Sequence, residues 1–437
     1  MYYLPNIIFV ILFVTSIGFF LRNVRKLVRN IRLGKATDVS ANRSKRWKNM
    51  LRIALGQQKM MVRPVAGILH ILVYVGFIII NLEMLEIVID GVLGTHRIFS
   101  GLGGFYDVLI ASFEILALLV IISVFVFWIR RNLLKISRFQ KKELQGNATK
   151  DANIILYAEM VLMLLFLVMN ASDFRLQQLG EYPQGGYFII SQWISPLLNE
   201  LSVSNLIFIE RTSWWLHIIG VLCFLNYLYY SKHLHIVLAF PNTFYASLDP
   251  KGKLPNLDSV TQEVKLMLDP NANPYAATTS DAPAKFGASD VSDLNWVQLL
   301  GAYTCTECGR CTDECPANKT GKKLSPRAIM MKTRDRLEEV GRNMDAHQGV
   351  FHPDGKQLLN DYITPEELWA CTSCNACVEV CPISINPLSI IMEMRQYLVM
   401  EQSSAPNELN VMMNNIENNG APWQYSQMDR LNWVDES

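Results

Sequence analysis

The chain has 437 residues, of which 50% are hydrophobic and 18% are charged, with a formal net charge of +1 at pH 7. No basic patch with interleaved aromatic residues occurs outside the flanks of apolar segments, which argues against nucleic-acid binding. The mean hydropathy is positive, +0.17, although residues 241–437 have an ordinary polar composition. The apolar excess therefore lies before Pro241 and predicts a membrane domain followed by a water-soluble domain.

Five segments are apolar over the roughly 20 residues that a helix needs to cross a bilayer. They are residues 4–21, 65–89, 106–128, 153–170 and 214–238. The first has no basic region before it and no small-residue cleavage site, so we expect a retained anchor and not a signal peptide. Lysine and arginine are concentrated between spans one and two and between spans three and four. The positive-inside rule then predicts a multi-pass protein of the cytoplasmic (inner) membrane, with the N-terminus outside and the chain after span five in the cytoplasm.

One cysteine pattern, C-x2-C-x2-C-x3-C-P, occurs twice in the second half of the chain. The copies are Cys305, Cys308, Cys311 and Cys315 before Pro316, and Cys371, Cys374, Cys377 and Cys381 before Pro382. In this pattern three thiolates of one loop hold one [4Fe-4S] cluster, and the fourth cysteine ligates the other cluster. We therefore assign Cys305, Cys308, Cys311 and Cys381 to the first cluster, and Cys371, Cys374, Cys377 and Cys315 to the second.

Zinc sites and disulfides are the alternatives. Zinc needs four ligands, usually as two separated pairs, which leaves the third cysteine step and the proline unexplained. Disulfides need an oxidising compartment, whereas the predicted topology places all eight cysteines in the cytoplasm. The ninth cysteine, Cys223, lies in an apolar segment, where we expect a small buried hydrophobic residue.

Helices are predicted around both cysteine loops. An apolar pattern over residues 292–304 leads into the first loop, and Ser325 and Pro326 have the types of an N-cap and first helical residue for a helix to about Val340. Thr364 and Glu367 have the spacing of a capping box. A last helix, about 387–400, would pack Leu388, Ile391, Met394 and Leu398 on one face.

These patterns predict an all-α protein: a five-helix transmembrane bundle followed by a cytoplasmic α-helical two-cluster ferredoxin domain. The predicted boundaries are 1–240 for the membrane domain, 241–290 for a connector, 291–401 for the ferredoxin domain and 402–437 for a polar tail. The connector has one short helical candidate, at about 260–268.

Three histidines of the membrane half are candidate haem ligands. If span five is one continuous helix, His217 and His235 are 18 residues apart, share a face and lie about 27 Å apart along its axis. His70, near the cytoplasmic start of span two, would lie at the depth of His235, so these two imidazoles could bind one b haem from opposite sides. His233 is expected at the membrane interface, away from iron. His217 is the more tentative ligand.

Acidic residues inside the spans are costly and mark function by default. Glu83, Glu86, Glu114 and Glu159 are such residues, and a quinol site that releases protons needs a carboxylate near the hydroxyl. The alternative is that they lie near the interfaces or pair with Arg97, Arg175 or Arg211.

The stretches CTECGRCTDECPA and WACTSCNACVEVCPISINPLSIIMEMRQYLV closely resemble the iron–sulfur subunit of heterodisulfide reductases, and less closely those of succinate dehydrogenase and glycerol-3-phosphate dehydrogenase. The membrane half, with AGILHILVYVGF around His70 and SKHLH ending at His235, resembles the cytochrome b subunit of heterodisulfide reductase and the nitrate reductase γ subunit. That family has a second histidine ten residues along span two, where this chain has Ile80. We therefore expect one haem, with a second only if His96 pairs with His217.

The combined resemblance is to a fusion of these two subunits. It implies a membrane-bound electron-transfer subunit that links the quinone pool, through b haem and two [4Fe-4S] clusters, to a cytoplasmic redox partner. The chain has no adjacent Cys-Cys pair, so the partner would be a separate subunit with the disulfide-reducing CCG motif, or a soluble ferredoxin or dehydrogenase. The alternative function is a haem-free membrane anchor and docking scaffold that carries a ferredoxin module. The direction of electron flow is not encoded in the cysteine pattern.

Overall fold

The computed structural model describes residues 3–254, 256–270 and 285–435 of the chain. Within these ranges the regular structure is helical, and the only β-type pairings are two isolated bridges. The prediction of an all-α fold is therefore confirmed. The longer helices are α1 (Leu4–Ile31), α2 (Arg43–Met50), α3 (Pro64–Leu93), α4 (Gly104–Trp128), α5 (Asn147–Gln178), α6 (Val203–Tyr227), α7 (His235–Tyr245), α8 (Asp258–Leu268), α9 (Trp296–Thr304), α10 (Pro326–Ala346), α11 (Pro387–Met400) and α12 (Asn407–Asn419).

Shorter turns connect these helices. Two are π-helical, Leu51–Leu55 and Ile129–Leu133, the second continuing α4. Single α turns lie at Ser191–Ile194, Arg310–Glu314, Pro316–Lys319, Leu358–Asp361, Pro365–Trp369, Ala376–Val380 and Asn432–Asp435. The 3₁₀ turns are Gln58–Met60, Ile98–Leu102, Ser137–Phe139, Lys142–Leu144, Ser195–Leu198, Leu228–Tyr230, Lys232–Leu234, Val291–Asp293 and Gln427–Leu431.

Five helices are long and apolar enough to cross a membrane: α1, α3, α4 with its π turn, α5, and α6 with the following 3₁₀ turn. In the bundle, α5 packs between α4 and α6, while α3 packs against α1 and α4. Large apolar side chains such as Phe113, Phe166 and Ile218 fill the space between these helices. The chain is therefore a membrane protein with a five-helix bundle.

The fifth span differs from its prediction. The helix α6 begins at Val203 and ends at Tyr227, and after a 3₁₀ turn the backbone becomes extended at Ser231 (φ −116°, ψ 147°). A new helix, α7, begins at His235. The expectation that His217 and His235 share one face of a continuous helix is therefore wrong, because the helix is broken between them.

The caps predicted around the cysteine loops are confirmed. Ser325 accepts a hydrogen bond from the backbone N–H of Ala328, with Pro326 opening α10. Thr364 and Glu367 form the reciprocal capping box. Along α11, the predicted inward face is buried at Leu388, Ile391, Met394 and Leu398. Each cap satisfies backbone N–H groups that the first helical turn leaves without partners.

The core of the ferredoxin half continues into one end of the bundle. Leu27 of α1 and Leu234, just before α7, belong to the same buried cluster as Leu299 and Ile390. Asn30 donates a hydrogen bond to the hydroxyl of Tyr303 at 3.0 Å. The cysteine-bearing half is thereby fixed against the bundle end where α1 ends and α7 begins.

Cys223 does not follow its prediction, since it is exposed on the protein surface. It lies on the membrane-spanning α6, where lipid would cover such a side chain. The sequence shows an apolar segment but does not tell which face of the helix contacts protein.

Candidate metal centres

The two cysteine loops have the same backbone path. In the first loop Glu307 and Gly309 have positive φ angles of 55° and 76°, and the equivalent Ser373 and Asn375 of the second have 56° and 59°. A short helix follows each pair, at Arg310–Glu314 and at Ala376–Val380. Glycine and asparagine tolerate this left-handed conformation better than most residues. The repeated turn directs the first three cysteines of each loop around a cavity.

Each cavity includes the fourth cysteine of the other motif. Cys305, Cys308, Cys311 and Cys381 line one cavity, and Cys377 contributes to the walls of both cavities. Cys315, Cys371, Cys374 and Cys377 line the other. The structure thus groups the eight cysteines in the crossed manner that the cluster assignment requires. The assignment of ligands itself stays a prediction.

The chemistry of these two sets suits clusters. Within the described part of the chain, no three His, Cys, Asp or Glu side chains converge as they would on a single metal ion. The thiols instead surround a space. Burial raises the pKa of Cys305 to about 12, that of Cys377 to about 12 and that of Cys381 to about 11, so these thiols are neutral at pH 7 without a metal. Iron supplies the positive charge that keeps such buried sulfurs as thiolates, and soft sulfur donors favour iron–sulfur clusters.

Residues outside the cysteine motifs hold the backbone beside the first cavity. The ammonium of Lys59, just before α3, donates hydrogen bonds to the carbonyls of Glu379 and Cys381, each at 3.3 Å. Arg310 in turn donates to the carbonyl of Lys59 at 3.0 Å. Asn242 of α7 donates to the carbonyl of Ile383 at 2.7 Å. The wall around Cys381 is therefore held by a residue of the loop between the first two spans and by a residue that follows the fifth span.

His70 and His235 meet at the same end of the bundle. Their ring centroids are 6.4 Å apart. Two imidazoles on opposite sides of one iron have centroids about 6 Å apart, because each nitrogen lies about 2 Å from the metal. The Nδ1–H of His235 donates to the carbonyl of Lys232 at 3.0 Å, which fixes its ring, and the Nδ1 atom of His70 is buried without a described partner. These two residues therefore fit the expectation that they would hold a b haem.

A large cavity opens beside this pair. Its volume is about 380 Å³, and it is lined mainly by apolar side chains, among them Val73, Phe77, Phe127 and Ile155. A haem would need such a lining, because its macrocycle is flat and mostly apolar. On one side the cavity is bounded by Thr306, Cys308, Pro382 and Ile383, which also line the first cysteine cavity.

His233 lies beside His235 and not on the opposite face of a continuous helix, while its expected place at the membrane interface stays a prediction. Its Nε2 atom is 3.5 Å from Glu159, and its ring centroid is 5.6 Å from that of His235. Both His233 and Glu159 line the large cavity. The break at Ser231 accounts for this position, because the turn that follows directs both histidines to the same side.

His217 lies apart from this cavity. It is buried, and its Nδ1–H donates to the carbonyl of Leu162 at 2.9 Å. His96 instead contacts Asp173, at 3.3 Å, and the ring of Tyr182. These contacts of the two described side chains do not join His217 to His96. A haem at His217 stays a prediction that this arrangement does not support.

The acidic residues of the spans are mostly held by neighbours other than the expected arginines. Glu86 accepts from the hydroxyl of Tyr106, and Glu114 accepts from Asn170 and from two backbone N–H groups. Glu83 is buried with its Oε2 atom unpartnered. Of the four, Glu159 is the one that lines the large cavity. The expected partner Arg97 pairs with Asp173 at 2.5 Å.

Sequence reasoning misses Arg131, which also lines the large cavity. In the sequence it is one of several basic residues that flank a span. Its position in the sequence does not show that it faces the cavity. The π-helical turn that carries Arg131 shifts the side chains at the end of α4 away from the faces that a regular α-helix would give them.

Comparisons with known proteins agree with the cysteine chemistry. Residues 304–385 match the model of the 4Fe-4S dicluster domain. The chain is 26% identical, over 99% of its length, to the probable iron-sulfur-binding oxidoreductase FadF of Bacillus subtilis, and 26% identical over 88% of its length to the EtfAB:quinone oxidoreductase of Syntrophomonas wolfei. It covers 61% and 53% of the lengths of these relatives.

A third relative matches only in part. It is one subunit of the dihydromethanophenazine:CoB–CoM heterodisulfide reductase of Methanosarcina mazei, 28% identical over 33% of this chain and 36% of the relative. No solved structure is a significant match. The chain is therefore a membrane protein with a 4Fe-4S dicluster domain, and it is similar to iron–sulfur oxidoreductases.

Proposed function

We propose that the chain links the quinone pool of the membrane to a cytoplasmic redox partner, with a b haem between His70 and His235 and two [4Fe-4S] clusters on the crossed cysteine sets. One observation carries this proposal. The cavity beside His70 and His235 is also lined by Thr306, Cys308 and Pro382 of the first cysteine site. Two candidate redox sites that share a wall are close enough for a common electron path.

The haem and the clusters would each supply one-electron transfer when bound. The residues of the chain hold and insulate them. His235 is fixed by its hydrogen bond to Lys232, and the apolar wall of the cavity excludes water. Lys232 forms an ion pair with Glu307 at 2.5 Å, which ties the turn before His235 to the first cysteine loop.

The second cysteine site offers the more accessible loop. Cys374 is exposed, whereas Cys305 of the first site is buried. A soluble partner would approach this exposed loop. The name of the Syntrophomonas relative includes EtfAB and a quinone. We extend that pairing to this chain as a proposal, with a CCG-type subunit or a soluble ferredoxin or dehydrogenase as the other partners considered.

The domain boundaries 1–240, 241–290, 291–401 and 402–437 belong to the same proposal. The described part of the connector contains α8, and the described part of the tail contains α12 with no buried residue. Residues 271–284 of the connector lie outside the described ranges.

The test is a dithionite-reduced minus oxidised spectrum of the anaerobically purified chain, with haem and iron counted per polypeptide. The proposal predicts one b haem and about eight further irons in the clusters, with the haem lost in His70→Ala and in His235→Ala while the cluster iron stays. His217→Ala serves as the matched histidine control and should keep the haem. A full iron content without haem would contradict the proposal and favour the haem-free docking scaffold.

A further inference from the structure

Most of the charged side chains that line the large cavity have a polar neighbour. Glu159 lies 3.5 Å from His233, and Lys232 lies 2.5 Å from Glu307. Arg310 is held by the carbonyl of Lys59. The remaining charge is that of Arg131, whose Nε and Nη2 atoms are buried and make no described hydrogen bond.

Buried N–H groups without hydrogen-bond partners are costly, because they have lost water and gained no acceptor in exchange. The two carboxylates that act most on the charge of Arg131 are already engaged. Glu307 pairs with both Lys232 and Arg334, the latter at 2.8 Å, and Asp151 accepts from Tyr227 and from the backbone of Lys232. Neither of them forms a described hydrogen bond or ion pair with Arg131.

The local structure holds Arg131 in this position. It belongs to the π-helical turn Ile129–Leu133, and its guanidinium carbon lies 5.1 Å from the ring centroid of Phe139. Single π-helical turns occur frequently at functional sites. The other described π-helical turn, Leu51–Leu55, contributes Ala54 to the wall of the same cavity. Both of these irregular turns therefore border one space.

We infer that Arg131 is an anion-binding residue of this cavity and that its ligand is a carboxylate of the bound haem. This inference rests on the proposed function, since it requires the haem between His70 and His235. An arginine fork suits a planar carboxylate because it can donate two parallel hydrogen bonds. The macrocycle would contact the apolar wall, and its carboxylates would lie beside the described cation of the lining whose buried N–H groups have no hydrogen-bond acceptor.

The test uses the full-length chain, produced without haem and then titrated with haemin or with haemin dimethyl ester, whose carboxylates are blocked. The wild-type chain should bind haemin about tenfold to a hundredfold more tightly than the ester, as expected for a charge-assisted hydrogen bond. Arg131→Gln should remove this preference by weakening haemin binding while leaving the ester unchanged. The ester also tests whether the variant is folded, because His70 and His235 should still bind it.

Arg130→Gln is the matched control. Arg130 is the neighbouring residue, but it lines a separate cavity with Arg63 and Arg138, so this variant should keep the wild-type preference. Equal binding of haemin and ester by the wild type would overturn the inference and leave the haem proposal intact. Binding of neither would overturn both.

A phospholipid headgroup is a second source of the same anion chemistry. The titration is therefore repeated with delipidated protein, with and without added phosphatidylglycerol. Competition between this lipid and the ester-blocked haem, absent in Arg131→Gln, would assign Arg131 to the lipid phosphate and contradict the inference.

Discussion

Cys315 and Cys381 show how single residues acquire roles that their place in the sequence hides. Each closes one cysteine motif, yet each lies in the cavity formed mainly by the other motif. The proline after each cysteine turns the chain away from its own loop. The spacing alone predicts this crossing, because the three-residue step and the proline are those of two-cluster ferredoxins.

The crossing gives a prediction for single replacements. Cys381→Ser should perturb the same cluster as Cys308→Ser, and Cys315→Ser the same cluster as Cys374→Ser. Anaerobic electron paramagnetic resonance of the dithionite-reduced variants distinguishes the two cluster signals, and Cys223→Ser should retain both. Loss of one identical signal in Cys381→Ser and Cys374→Ser would show that the motifs do not cross.

Lys59 gives a second prediction at this scale. Its ammonium contacts the carbonyl of Cys381, and a cation near a cluster stabilises the more negative reduced form. Lys59→Gln should lower the midpoint potential of the first cluster and leave that of the second unchanged, as measured by a redox titration. Lys45→Gln is the control, because Lys45 is an exposed cation of the same basic loop. Equal shifts of both clusters would rule out a local effect.

At the scale of elements, buried arginine holds the ferredoxin half together. The side chain of Arg336, on α10, is fully buried and donates to Asp290 at 2.8 Å and to Asp354 at 2.6 Å. It also donates to the carbonyl of Lys356 at 2.7 Å. One side chain thus joins α10 to the segments before α9 and after α10.

Arg336→Met should therefore destabilise this half by roughly 2–3 kcal/mol, because two partly buried carboxylates lose their cation. The measurement is a guanidinium titration of the purified chain in detergent, followed by cluster absorbance. Arg342→Met, on the same helix, changes only an exposed ion pair with Glu338 and should shift stability by less than about 0.5 kcal/mol. Similar losses in both variants would contradict a specific role for Arg336.

Elements are predictable where one physical signal dominates. Long apolar runs locate the first four spans, and cap residues such as Ser325 and Thr364 locate helix starts. The end of span five is missed because Tyr229, Tyr230 and the residues after Ser231 are still apolar enough to extend a helix. The break depends on tertiary contacts, among them those that Asp151 and Glu307 form with Lys232. Those contacts join distant parts of the chain and leave no local pattern.

At the scale of the whole molecule, the two halves are joined at one end of the bundle. Lys26 and Arg29 of α1 pair with Asp345 of α10, each at 2.5 Å, and Arg63 pairs with Asp313 at 2.7 Å. The amino-acid composition predicts that the chain has an apolar half and a polar half, and that the apolar half comes first. The shared cavity wall is not predictable, because it requires knowing which loops meet after the bundle has assembled.

The orientation of the chain in the membrane is a prediction about the whole molecule. The basic loops and the ferredoxin half lie at the same end of the bundle, so the positive-inside rule places both in the cytoplasm. In a Cys223→Ser background, a membrane-impermeant maleimide should label Asn199→Cys in intact cells. It should label Ser44→Cys only after lysis. The two positions are both exposed, so the reverse pattern would mean the opposite orientation.

One electron path is proposed to connect the membrane cavity to the cysteine clusters. The most direct measurement mixes the oxidised full-length chain, in detergent or nanodiscs, with a short-chain quinol and with dithionite in parallel, and follows cluster reduction by electron paramagnetic resonance after rapid freezing. A quinol of sufficiently low potential should reduce the clusters in the wild type but not in His235→Ala, while dithionite should reduce them in both. If quinol still reduces the clusters of His235→Ala at the wild-type rate, the path does not run through this histidine and the proposed function is wrong.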